Sequence, residues 1–201
     1  MERIRLTKEF RNSSNRPQTL KAAETPYLFG EIRQPNNNMI VIPKVSSETR
    51  KYIPIDFISP EIIVNGSALI IPNANLYMFG VLTSNVHNAW MRTGAGRMKS
   101  DYQYSASVVY NTFAWPTPTQ SQKQKIYKTS QVILNARNLY KNNSFAQLYN
   151  ELTMPPELRK AHQENNKAVM EAYGFNWRKM TEPDCVAELM KMYQKLVEEN
   201  K

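Results

Sequence analysis

Up to Pro116 the apolar residues come in short runs that alternate with polar ones and are cut by turn residues, a pattern that predicts strands. The runs are Glu2–Phe10, Pro26–Arg33, Met39–Pro43, Tyr52–Ile58, Ser67–Pro72 and an interrupted Tyr102–Phe113. Pro35, Pro43, Pro54, Pro60 and Pro72 fall at or near run ends, where a missing amide hydrogen costs least. One stretch departs from this rhythm. Between Ala74 and Arg92, the residues Leu76, Phe79, Leu82, Val86, Ala89 and Trp90 recur at three- and four-residue intervals. That spacing predicts one amphipathic helix, ending at Gly94 and Gly96 and packed across the sheet.

After Trp115-Pro116-Thr117-Pro118 the period becomes helical. Thr119 with Gln122, and Ser144 with Gln147, have the spacing of a capping box, in which two side chains satisfy each other's orphan backbone donors. Pro155-Pro156-Glu157 and Thr181-Glu182-Pro183-Asp184 place proline and acid in a first turn. The helices expected are 119–140, 144–151, 156–173 and 182–199. The fold class is therefore α+β: residues 1–116 with a mixed or antiparallel sheet and one packed helix, then a helical domain over residues 117–201.

Composition narrows the function. At 201 residues and 41% hydrophobic the chain can build a core, and no apolar run approaches the roughly 20 residues of a membrane span. The opening MERIRLTKEF lacks the apolar segment of a secretory signal, so a cytoplasmic place is expected. Cys185 is the single cysteine and His87 and His162 the two histidines, too few for a disulfide framework or a structural zinc site, and no metal is expected. A net charge of +9 suits a polyanionic partner. No acid stands between Asp101 and Glu151, whereas Lys123, Lys125, Lys128, Arg137 and Lys141 do, which predicts either a basic face or a solvated helix.

Catalytic motifs are missing. The only Pro-Pro pair, Pro155-Pro156, lies between methionine and glutamate and reads as a helix start, not as the Asn/Asp-Pro-Pro-aromatic turn that holds a flipped adenine. Gly94-Ala95-Gly96 follows a helix and lacks the third glycine of a phosphate-binding turn. His87 has Ser84 one turn away but no acid nearby in sequence. No cofactor is expected in this chain.

Several strings carry a resemblance: Leu28–Arg33, Val45–Pro54, Ala68–Ala74, Phe79–Ser84, Tyr110–Pro116, Leu152–His162 and Cys185–Leu189. Together they resemble, over nearly the whole chain, the target-recognition region and C-terminal helical domain of the MmeI-like (type IIL) restriction–modification enzymes and related class I adenine-N6 DNA methyltransferases. Ala114 departs from the proline more usual there. The resemblance implies a C-terminal piece of a larger enzyme that holds double-stranded DNA. The upstream methyltransferase domain of that enzyme binds S-adenosylmethionine and modifies one adenine.

The family's base-reading residues match Lys99, Asp101 and Gln103, with Ser67 resembling a further position. In an extended strand, residues two apart share a face, so Lys99, Asp101 and Gln103 can enter one groove together. Lysine donates to guanine, aspartate accepts from cytosine N4, and glutamine pairs with adenine. Tyr102 and Tyr104 then face inward. Arg50, Lys51, Arg92 and Arg97 are the candidate phosphate contacts, and Glu31 with Arg33 either pair or touch DNA. Two other readings compete: an RNA- or single-strand-binding protein that stacks bases on Tyr102, Tyr104 and Tyr110, or a protein-interaction module, without base-specific duplex readout, and a small enzyme assembled from Glu48, His87 and arginines.

Overall fold

In the computed structural model, which describes residues 1–30 and 34–199, the chain is α+β and falls into two units, Met1–Gln34 and Pro35–Lys201. The first unit corrects two expected strands. Glu2–Phe10 lies within a helix, α1 (Glu2–Asn12), because Arg5 pairs with Glu2 and Glu9, both at 2.6 Å, along one side of successive turns. A second helix, α2 (Pro17–Ala22), begins at its proline. The expected strand from Pro26 is a turn as far as Gly30, with its last three residues outside the described set. Here the carbonyls of Ala22, Thr25 and Leu28 are taken by the guanidinium of Arg11, at 2.7, 3.0 and 2.8 Å, in place of a neighbouring strand.

The second unit holds two small antiparallel sheets. In one, the order is β3-β1-β4, with β1 (Met39–Pro43) between β3 (Asp56–Ile58) and β4 (Ala68–Ile71). The registers Ile40↔Phe57 and Ile40↔Ile71 set a row of large apolar side chains across the three strands. In the other the order is β2-β6-β5, formed by β2 (Val45–Ser46), β5 (Gly96–Met98) and β6 (Asp101–Gln103). Two expected strands shrink: of Tyr52–Ile58 only the last three residues pair, and Tyr102–Phe113 leaves the sheet at Tyr104 to form a π-helical turn, Ala106–Tyr110.

The helix expected from Ala74 to Arg92 is two helices, α3 (Leu76–Thr83) and α4 (Asn85–Gly94). Ser84 is extended between them (φ −72°, ψ 162°) and its hydroxyl accepts from the His87 amide, so the residue that ends one helix caps the next. Of these, α3 packs chiefly on α5 (Gln120–Asn138) and α7 (Pro156–Ala172), and α4 on α8 (Glu182–Glu199). The contact expected with the sheet survives between α3 and β3, where the Phe57 and Phe79 rings lie 6.2 Å apart. Gly80 makes the close crossing possible: a Cβ there would stand 2.1 Å from Ser130 Oγ and 2.7 Å from Ile126 Cγ2. Its carbonyl accepts from Asn165 Nδ2 at 2.8 Å.

The four later helices start where their caps predict. Thr119 and Ser144 form complete capping boxes with Gln122 and Gln147, opening α5 and the short α6 (Phe145–Leu148), and the Thr181 hydroxyl and Asp184 exchange hydrogen bonds at the start of α8. One core runs through strands and helices, from Ile40 and Ile42 through Phe79 and Leu82 to Ile126, Ile133, Leu158 and Leu189. No helix among the described residues is long and apolar enough to cross a membrane.

Inside this core lies a polar joint. Arg137, read from sequence as part of a basic face, points inward and is buried. Its Nε and Nη2 both donate to the Tyr149 hydroxyl, the first at 2.8 Å; Nη2 also donates to the Ile55 carbonyl at 2.8 Å, and Nη1 lies 3.3 Å from Asp56. The Tyr149 hydroxyl meets His162 Nε2 at 2.9 Å, and the His162 ring stacks on Tyr52 at 4.3 Å. Lys125 pairs with Glu171 at 2.5 Å, so α5 does not present the uniform basic surface its sequence suggested.

Candidate nucleic-acid interface

Strands β5 and β6 form a hairpin with the register Met98↔Asp101, which leaves Lys99 and Ser100 as a two-residue loop. This corrects the expected geometry of Lys99. It is not a strand residue but the first loop residue, with φ +57°, a region that favours glycine. Its side chain is exposed at the hairpin tip. Asp101 and Gln103 do share one face of β6, half-buried and exposed respectively, while Tyr102 and Tyr104 are buried on the other.

The inward face is fixed by bonds to the core. The Tyr104 hydroxyl meets His87 Nε2 at 3.0 Å, and Trp90 Nε1 donates to the Val109 carbonyl at 3.2 Å, so α4 holds the segment on both sides of Ser105. Burial pushes the Tyr104 phenol up and lowers His87 to about 4, leaving a neutral pair at pH 7. His87 is therefore a packed residue, and the enzyme reading built on it lacks an accessible base. Stacking on Tyr102 and Tyr104 is likewise disfavoured, since the two residues are 8% and 3% exposed. Among the described residues no group of histidine, cysteine and acidic side chains is placed to hold a metal ion.

The outward face gathers residues distant in sequence. One Asp101 oxygen accepts the Glu48 amide at 3.4 Å, a contact spanning 53 residues that no local pattern announces. Ser67 is exposed immediately before β4, and its carbonyl accepts from the Lys44 amide at 3.0 Å. The Lys44 carbonyl in turn accepts from the Tyr104 amide at 2.8 Å, so one residue's backbone joins Ser67 to the neighbour of Gln103 and links the two sheets. Lys99, Asp101 and Gln103 therefore share one hairpin, and Ser67 is tied to the end of β6 through the Lys44 backbone.

The candidate phosphate contacts divide. Arg50 and Lys51 lie on a turn after β2, Arg50 half-buried and Lys51 exposed. Arg92 instead makes a two-pronged pair with Glu182 at 2.6 and 2.7 Å and donates to the Lys51 carbonyl at 3.0 Å. Arg97 lies on its own hairpin, over the Tyr102 ring at 3.9 Å. Glu31 and Arg33 lie outside the described residues.

Comparison with known proteins meets this geometry. The sequence model of the MmeI target recognition domain matches residues 1–117, and that of the MmeI C-terminal domain matches residues 118–200. DNA methyltransferase A of Bacillus subtilis (strain 168) is 37% identical over 199 residues, which are 98% of this chain and 22% of that protein. A solved structure of the Type IIL restriction-modification enzyme MmeI in complex with DNA is 44% identical with a TM-score of 0.87, over 98% of this chain and 26% of the MmeI chain. The present chain thus spans about a quarter of the length of these relatives, and with residues 1–117 and 118–200 matched it belongs to the family of MmeI target recognition and C-terminal domains.

Proposed function

We propose that the chain is the DNA sequence-recognition part of a restriction–modification methyltransferase, holding double-stranded DNA and reading bases through the β5–β6 hairpin and Ser67. The observation that carries this reading is the exposed hairpin itself: Lys99 at the tip, Asp101 and Gln103 on the outward face, and Tyr104 tying the inward face to α4. A two-stranded ribbon fits the major groove, where a lysine at the tip and an aspartate opening β6 suit the two halves of one G·C pair. Gln103 and Ser67 read neighbouring positions. One oxygen of Asp101 is oriented by the Glu48 amide, which aims the carboxylate before DNA arrives. Arg50 and Lys51 contact phosphates, and Arg92 contributes by fixing the Lys51 carbonyl.

In this reading residues 1–116 are the recognition domain and 117–201 its helical support, and the chain does not itself catalyse. Its residues do not fit S-adenosylmethionine: Gly94 to Gly96 run from the end of α4 into β5, and Pro155-Pro156 opens α7. The cofactor belongs to the methyltransferase domain of the longer cytoplasmic enzyme, which is also this chain's protein partner.

The test is selection from a randomised duplex pool by the purified chain, with sequencing of what is retained. The expected result is an enriched motif with a fixed G·C pair that is altered when Lys99 and Asp101 are exchanged together. Retention without a motif would leave only phosphate affinity, and preference for single strands over duplex would overturn the reading.

A further inference from the structure

We propose that Arg97 is the positioning residue of the recognition hairpin, holding the Lys99–Ser100 loop in the one shape from which Lys99 meets a base; the inference rests on the duplex-reading function proposed above. Two-residue hairpin loops that need a positive φ normally place glycine there, because a Cβ disfavours that region. This loop has lysine at φ +57°. A side chain in that region persists where the surroundings over-determine it, and Arg97 supplies the restraint. It stands directly opposite Tyr102 in the register. Its guanidinium carbon lies 3.9 Å from the centre of that ring, and Nη1 donates to the Ser100 carbonyl at 2.7 Å. Glu48 closes the arrangement, its carboxylate 3.7 Å from Arg97 Nη1 and its amide on Asp101. One arginine therefore spans the loop from strand to far carbonyl, anchored on a tyrosine whose ring is buried in the fold.

A phosphate-binding arginine turns its fork outward, whereas this one spends its flat face and a donor on its own hairpin. Lysine cannot replace it, since an ammonium lacks the planar fork that covers a ring and reaches a carbonyl at once.

The experiment compares the parent chain with Arg97→Gln, Arg97→Lys and Glu48→Gln on the selected duplex and on a scrambled duplex, across a salt series. Order parameters of the Lys99 and Ser100 amides are measured in each free protein. Arg97→Gln is expected to lower the preference for the selected duplex at least tenfold, with a much smaller loss on the scrambled one and an unchanged salt slope. The two amides should fall from rigid values near 0.85 to below about 0.6. Arg97→Lys should not restore either property, and Glu48→Gln should show a weaker form of both. Equal losses on both duplexes, with a salt slope reduced by about one and rescue by lysine, would make Arg97 a phosphate contact and overturn the inference alone. Retained preference with a rigid loop in Arg97→Gln would overturn it too. A parent chain that enriches no motif would overturn the underlying reading, and this inference with it.

Discussion

Two arginines organise two regions of the second unit, and they do so in opposite surroundings. Around Arg137 the side chain is buried among the Phe79, Phe145 and Tyr149 rings, and its donors reach the Tyr149 hydroxyl, the Ile55 carbonyl and the half-buried Asp56. Around Arg97 the side chain is about half exposed, and its contacts hold a loop that carries almost no core. A buried network loses the full desolvation cost of whatever is left unpaired, so its members govern stability. An exposed brace competes with water at every contact, so its value lies in geometry. The difference teaches that the buried joint serves the fold, whereas the hairpin brace serves the shape of the loop that the proposed function assigns to base reading.

The comparison breaks if mutations in one region produce the other region's phenotype. The largest expected effect is Arg137→Met, which leaves Asp56 and Tyr149 without their buried partner and should cost about 4 kcal/mol in urea unfolding while sparing duplex preference below the transition. Acid should come next. Burial holds His87 at about 4 and, with Arg137 adding its charge, His162 well below the ordinary 6.5. Between pH 6.5 and 4 the unfolded chain then binds more protons than the folded one, so stability present above pH 6.5 is lost as the pH falls. His87 alone should account for about 3 kcal/mol by pH 4, visible as a falling urea midpoint that flattens in His87→Gln. Lys99→Ala should remove about 2 kcal/mol of preference for the selected duplex and leave the unfolding midpoint unmoved. Equal losses on cognate and scrambled duplexes would sink its role as a base reader. The smallest effect is Thr119→Ala, which removes one half of a capping box and should cost about 1 kcal/mol in stability with no change in DNA binding.

Legibility in the sequence followed the range of the interaction. Capping boxes at Thr119 and Ser144 were readable because donor and acceptor are three residues apart. Strands β1 and β4 were readable as continuous apolar runs. Helix α1 was misread from the apolar residues around Ile4 and Leu6, although Glu2, Arg5 and Glu9 carried the helical signal at three- and four-residue spacing. The break at Ser84 was hidden because the apolar period continues through it, and Val108-Val109 looked like a strand but formed a π-helical turn. Arg137 was read as surface because charge is usually solvated, and its partners Ile55 and Asp56 lie more than 80 residues away.

By itself the sequence determined the α+β class, the boundaries of the long helices, the family resemblance and the inward turn of Tyr102 and Tyr104, all of which rest on local periodicity or on strings of matching residues. Only the tertiary structure decided that Lys99 occupies a turn instead of a strand, that Glu48 meets Asp101 and Lys44 links Ser67 to Tyr104, and that Arg92, Arg97 and Arg137 face three different partners. The physical reason is that an arginine's role depends on which acceptors lie within hydrogen-bond reach, and chain folding brings those acceptors from positions no local pattern connects.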